Sequence, residues 1–142
     1  MFAPSRDEAR HFFFDTWEKY RRGVPLAGLE RLALQVMVLH PEYHAILDQP
    51  EQHRARDYPP ESGETNPFLH LSLHLAVEEQ LAIDQPPGIA ALFQRLLAKT
   101  ASEHDAKHLV LECLGETLWQ AQRRGAPPDE KIYLECLERQ IR

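Results

Sequence analysis

Three histidine triplets with helical spacing constrain this chain more than any other feature. In each triplet a histidine is followed four residues later by a second histidine, and four residues after that by an acidic residue. The triplets are His40, His44 and Asp48; His70, His74 and Glu78; and His104, His108 and Glu112. Residues four apart lie on one face of an α-helix, so each triplet predicts a stripe of two imidazoles and a carboxylate. Random placement of 8 histidines among 142 residues would give roughly 0.4 such histidine pairs, whereas the chain has three.

The rest of the sequence is typical of an all-α protein. Helical segments are separated by breaks rich in proline and glycine, and no strand pattern competes with them. We expect a single α-helical domain over residues 1–142, a helical bundle of about five to six helices. A long loop, residues 49–66, is expected between the second and third helical regions because it contains three prolines and a glycine.

Several helix ends can be predicted from local signals. Ser5 and Glu8 form a capping box at the start of the first helix, which is expected to end at Gly23. Asn66, followed by a proline, predicts the start of a helix that reaches about Ile83. A further break is expected between Lys99 and Ser102 of the following helical stretch.

The composition argues against several functional classes. The net charge of −6 argues against a nucleic-acid-binding protein, which would show a basic face. No apolar run is long enough to span a bilayer, and the N-terminal MFAPSRDEAR lacks the features of a secretory signal. Cys113 and Cys136 lie in half-apolar helical segments, and we interpret them as reduced packing residues of a cytoplasmic protein, with a disulfide or a cysteine ligand left open.

The middle triplet lies in the most apolar segment, FLHLSLHLAVEEQLAI. A helix that is apolar almost all round is buried, so His70, His74 and Glu78 are expected to point inward. Buried imidazoles and a carboxylate need partners, because burying polar groups without them costs several kcal/mol. A metal ion would supply that partner, and an internal hydrogen-bond network is the alternative.

The last triplet is expected to form a similar inward stripe. His104, His108 and Glu112 share one helical face. Gly115 is unfavourable inside a helix, which suggests the close approach of another helix or of a ligand. Lys107 is expected to be exposed.

The first triplet is interrupted by Pro41, which should break or kink the helix at His40. His44 is expected to point into the site from the following segment. For His40 a kink or cap position is as consistent with the sequence as a metal ligand, and for Asp48 a loop position is equally consistent.

Histidines and carboxylates are the commonest side-chain ligands of non-haem metals. We therefore predict one or two transition-metal ions, such as iron, zinc or manganese, held between helices. Such a site would suit a non-haem iron or zinc enzyme, but the sequence leaves catalysis open. The predicted ligands are His40, His44, His70, His74, Glu78, His104, His108 and Glu112.

The alternative is a non-catalytic interaction or regulatory protein whose stripes are buried polar networks. Its aromatic first helix, HFFFDTWEKYRR, could then contribute to a homodimer. The sequence names no small-molecule or protein partner.

The segments NPFLHLSLHLAVEEQ, RDYPPE and IDQPPGI carry a resemblance over nearly the whole chain. In these segments the chain resembles an uncharacterised proteobacterial family, domain of unknown function eighteen forty-one. The resemblance implies a small cytoplasmic bacterial protein and no particular activity. A looser likeness is to hemerythrin-like and ferritin-like metal bundles, but the order of histidines and carboxylates differs from theirs.

Overall fold

The computed structural model describes residues 6–56, 58 and 66–142. The described residues form α-helices and loops with no strand, which confirms the predicted all-α class. A short 3-10 helix, Pro41–Tyr43, lies between α2 and α3. The α-helices in chain order are α1 (Arg6–Arg21), α2 (Leu29–Val38), α3 (His44–Leu47), α4 (Pro50–His53), α5 (Pro67–Ile83), α6 (Ile89–Leu97), α7 (Glu103–Arg124) and α8 (Glu130–Ile141).

The number of helices in the described residues exceeds the predicted number because α3 and α4 are single turns of four residues each. Helix α4 falls inside the stretch 49–66 that we expected to be irregular. Pro50 occupies its first turn, where a missing backbone N–H is tolerated. Residues 57 and 59–65 of that predicted loop lie outside the described residues, as does Ser5 of the predicted capping box.

The predicted helix ends at Gly23, Asn66 and Ser102 are confirmed. After α1, Gly23 adopts a φ of 71°, a left-handed conformation that glycine adopts without steric penalty. The Asn66 side-chain oxygen accepts hydrogen bonds from the backbone N–H groups of Phe68 and Leu69 at 3.0 and 3.2 Å. The Ser102 hydroxyl accepts a hydrogen bond of 3.0 Å from the backbone N–H at the third position of α7.

The chain divides into two compact units, unit 1 up to Leu75 and unit 2 from Ala76 onward. In unit 1, α1 packs against α2 and α3. Aromatic and aliphatic side chains from these helices and from the first half of α5 fill its core. The buried core residues are Phe13, Phe14, Trp17, Ala33, Val36, Met37, Leu47, Phe68, Leu71 and Leu75.

In unit 2, α6, α7 and α8 pack against one another. Its buried side chains include Phe93, Val110 and Leu137. The Tyr133 hydroxyl of α8 donates a buried hydrogen bond of 2.7 Å to the side-chain oxygen of Gln80 in α5. Burial raises the pKa of Tyr133, so the phenol stays a neutral donor across the physiological range.

A disulfide joins Cys113 of α7 to Cys136 of α8, with 5.7 Å between their Cα atoms. Our interpretation of these two residues as reduced was therefore wrong. Their half-apolar helical contexts indicated packing residues but could not show that α7 and α8 bring the two together. Because both sulfurs are in the bridge, neither cysteine is available as a thiolate ligand.

Over the part of the chain that the structure describes, no helix is both long and apolar enough to cross a membrane.

Candidate metal centre

In unit 1, His40 is fixed by a hydrogen bond to the backbone of α2. It follows the last turn of that helix, and Pro41 after it keeps its backbone out of the α region, at φ −123° and ψ 66°. The His40 Nδ1 atom lies 2.7 Å from the Val36 carbonyl oxygen. A carbonyl oxygen only accepts, so Nδ1 carries the proton and Nε2 carries the lone pair that a metal ligand needs.

The His40, His70 and His74 rings contact one another. Their centroids are 5.0 Å apart for His40 and His70, 4.6 Å for His40 and His74, and 4.8 Å for His70 and His74. The Tyr43 ring stacks on His40 with its centroid 5.6 Å away and lies 6.0 Å from the His70 ring. His40 and His74 are each only 3% exposed. Thus two triplets that are separated in sequence contribute to one histidine cluster.

Within that cluster, His40 and His74 have the geometry of a ligand pair, because one ring nitrogen of each lies within 4.8 Å of the other. Two nitrogens that bind one ion through bonds of about 2.0–2.1 Å are separated by at most ~4.2 Å, so a small side-chain movement suffices. The His70 ring is part of the cluster, but its nitrogens do not meet the same distance criterion for a metal ligand.

The side chains of the other two members of the first triplet contact α1. The His44 ring packs on Trp17 at 4.6 Å, and its Nε2 atom donates to the Met37 carbonyl oxygen at 2.8 Å. The Asp48 carboxylate binds Arg21 at 2.8 Å. The kink at Pro41 therefore separates the triplet, and His40 rather than His44 lies with the histidines of α5.

In unit 2, His104 and His108 form a second pair in the first half of α7. Their ring centroids are 4.2 Å apart, as expected for residues one helical turn apart. One nitrogen of each ring lies within 4.8 Å of the other. Both side chains are half-buried. The two histidines of the predicted stripe on α7 therefore lie on one helical face.

Glu78 forms an ion pair with Lys107, whose Nζ atom lies 2.5 Å from the Glu78 carboxylate and 3.2 Å from that of Glu103. The Lys107 side chain is 13% exposed, so the expectation that this residue is solvent-exposed was wrong. Burial lowers the pKa of Lys107, but its hydrogen bonds and charge interactions with the two glutamates outweigh burial and raise it overall.

The acidic member of the last triplet, Glu112, is exposed. Glu116, one turn further on, is also exposed and accepts a hydrogen bond of 2.8 Å from Gln120. A side chain added at Gly115 would meet nothing within 4 Å. The close approach that we inferred from this glycine is therefore not observed.

Sequence reasoning missed two residues that shape these clusters, Tyr43 and Lys107. Tyr43 is three residues after His40 and follows a proline, a spacing that places both rings on one side of a tight helical turn. Lys107 lies next to His108 in the sequence, and its four-residue spacing from Glu103 was a visible signal for an ion pair on α7. Its contact with Glu78 had no such local signal.

Comparison with known proteins gives one result. No curated protein and no solved structure matches the chain. A family model described as "Domain of unknown function (DUF1841)" matches residues 5–139. Because that match covers most of the chain, the protein belongs to the DUF1841 family.

Proposed function

We propose that this protein binds transition metal through two histidine pairs, His40 and His74 in unit 1 and His104 and His108 in unit 2. The observation that carries the proposal is the buried pair of His40 and His74, with His40 fixed by its hydrogen bond to Val36. Metal-binding histidines typically donate their second ring N–H to a backbone carbonyl or a carboxylate, which fixes the tautomer and orients the ring.

The burial of these rings supports the proposal. Polar groups are unfavourable in a protein interior unless they gain partners there. One buried histidine satisfies this requirement easily with one or two hydrogen bonds. A metal ion is a partner that two neighbouring imidazoles can share, because it binds a ring nitrogen of each.

The ligand types restrict the choice of metal. Imidazole suits zinc, iron, copper and nickel, whereas manganese and magnesium favour carboxylate oxygen. The acidic residues that follow His74 and His108 by four positions are not among the proposed ligands. Glu78 forms an ion pair with Lys107, and Glu112 is exposed. We therefore place zinc and ferrous iron ahead of manganese among the ions expected from the sequence.

Elemental analysis of protein purified without a histidine tag is the direct test. The chelated protein would then be titrated with Zn²⁺, and with Co²⁺ as a visible reporter of the ligand geometry. We expect about one or two equivalents of metal to bind and to raise the thermal stability, because a ligand that binds only the folded state stabilises it.

Single substitutions test the pair in unit 1 and the pair in unit 2 separately. His74→Ala should remove the metal bound in unit 1, and His108→Ala should remove the metal bound in unit 2, so each variant loses about half of the metal. His11→Ala is the matched control, because His11 is largely exposed and pairs with Asp15 at 2.9 Å. Protein that is folded, metal-free and indifferent to added metals would refute the proposal.

That outcome would favour an interaction or regulatory protein with a buried polar cluster. The edge-to-face contacts among His40, His70 and His74 are the observation in its favour. Centroid distances of about 4.5–7 Å are typical of aromatic packing without a metal. On this alternative His74→Ala lowers the stability of the protein but changes no metal content.

A further inference from the structure

We propose that Lys107 determines which metal the protein prefers, because it holds the Glu78 carboxylate in an ion pair and so withholds it from the metal. The inference rests on the proposed metal binding and adds a specificity-determining residue to it.

The first step is the geometry of the ion pair. The Lys107 Nζ atom lies 2.5 Å from Glu78, and both side chains are largely buried, at 13% and 15% exposure. A second carboxylate, from Glu103 one turn earlier on α7, holds the same ammonium at 3.2 Å. Two anionic partners therefore fix Lys107, and a pair shielded from solvent is screened less by salt than a surface pair.

The second step is the position of Glu78 relative to the histidines. On α5 it follows His74 by four residues, the spacing that puts two side chains on one helical face. Its partner Lys107 directly precedes His108 and follows His104 by three residues on α7. Glu78 is therefore held at the same turns of α7 that carry this histidine pair. Without Lys107, the Glu78 carboxylate is a candidate to join this pair in a histidine and carboxylate ligand set.

The third step is the chemistry of the two ligand sets. A set of imidazoles alone is neutral, leaves the full charge on the ion, and suits borderline ions such as Zn²⁺. Adding one carboxylate supplies a hard anionic oxygen, which favours Mn²⁺ and Fe²⁺. An ion that recruits Glu78 must first displace an ammonium held by two carboxylates. Lys107 thus favours binding by nitrogen ligands alone.

Metal competition in the full-length chain tests this inference. The chelated wild-type protein, Lys107→Met and Lys107→Met/Glu78→Gln would each be titrated with Zn²⁺ and with Mn²⁺, and the ratio of the two dissociation constants compared. Lys99→Met is the matched control, because Lys99 is an exposed lysine of unit 2. We expect Lys107→Met to shift the ratio toward Mn²⁺ by about tenfold or more, a typical effect of changing a residue that orients a metal ligand. The Glu78→Gln substitution in that background should cancel the shift.

Glu78→Gln alone provides a second measurement that does not depend on the stability of Lys107→Met. If Lys107 withholds Glu78, this variant binds Zn²⁺ as tightly as the wild type. A marked loss of Zn²⁺ affinity would make Glu78 a ligand and overturn the inference, as would an unchanged ratio in folded Lys107→Met. In both cases the wild type still binds Zn²⁺ and the proposed function stands. Wild-type protein that binds neither ion would refute the proposed function and the inference with it.

Discussion

The indole Nε1 atom of Trp17 donates a hydrogen bond of 2.7 Å to the Asp48 carboxylate. Trp17 is a core residue of α1, and Asp48 directly follows α3, so this bond fixes the end of α3 against α1. Arg21, one turn after Trp17, binds the same carboxylate at 2.8 Å. The acid of the first triplet thus has a structural role in unit 1.

Asp48→Asn should lower the stability of the protein in a pH-dependent way. Hydrogen bonds from Arg21 and then Trp17 lower the pKa of Asp48 below its ordinary value. The charge therefore contributes stability above the unfolded pKa of about 3.9, and this contribution is lost as the pH falls through the lower folded value. Because Asp48 is partly exposed, we expect a difference of about 1 kcal/mol at pH 7. Urea unfolding of both proteins at pH 7 and pH 3 measures it, and an equal difference at both pH values would contradict the prediction.

Gly115→Ala should stabilise the protein. Gly115 lies inside α7, and a Cβ there meets nothing within 4 Å. Alanine in a helix interior is more favourable than glycine by about 0.5–1 kcal/mol, chiefly because glycine loses more backbone entropy on folding. The control is Gly125→Ala, where φ is +61° and an L side chain is strained, so that variant should be less stable. Thermal denaturation compares them, and a destabilised Gly115→Ala would show that the small residue is needed.

Loss of the Cys113–Cys136 disulfide should destabilise the protein substantially. The bridge joins α7 to α8 and closes a loop between residues 23 positions apart. On the chain-entropy account, opening a loop of this length removes about 3 kcal/mol of stability. Unfolding of Cys113→Ser/Cys136→Ser by guanidinium, compared with wild type in the presence and absence of a thiol reductant, measures the loss. If the reductant affects the double variant and the wild type equally, the bridge is not the cause.

Local signals account for most of what could be predicted from the sequence. Asn66 and Gly23 act within a few residues of themselves, and both helix ends lie where the sequence indicated. The stripe of His104 and His108 needs only helical periodicity and is also present. The disulfide and the ion pair of Lys107 with Glu78 each join residues distant in sequence, and periodicity carries no information about which helical faces meet.

The division of the first triplet shows the same limit at close range. Pro41 was recognised as a break, but its effect on two histidines four residues apart depended on the turn that follows. The 3-10 helix rotates His44 onto Trp17 while His40 stays with the end of α2. The spacing rule for a helical face holds only while the α-helix continues.

His44→Ala should therefore retain its metal, in contrast to His40→Ala. The His44 ring packs on Trp17 and donates from Nε2 to the Met37 carbonyl oxygen, so its removal leaves a gap beside the core of unit 1. We expect this variant to lose about 1–2 kcal/mol of stability, from one hydrogen bond and lost packing. Its metal content should equal that of the wild type, whereas His40→Ala should lose at least half.

Both variants would be compared by elemental analysis after dialysis against limiting Zn²⁺, with urea unfolding to confirm that each is folded. Measuring stability and metal content separately distinguishes a packing role from a ligand role, because only a ligand changes the amount of bound ion in a protein that remains folded. Loss of metal in folded His44→Ala would place that residue in the ligand set, and equal metal content in folded His40→Ala would remove His40 from it. Because His40 and His44 are only four residues apart and next to the same proline, each variant is a close control for the other.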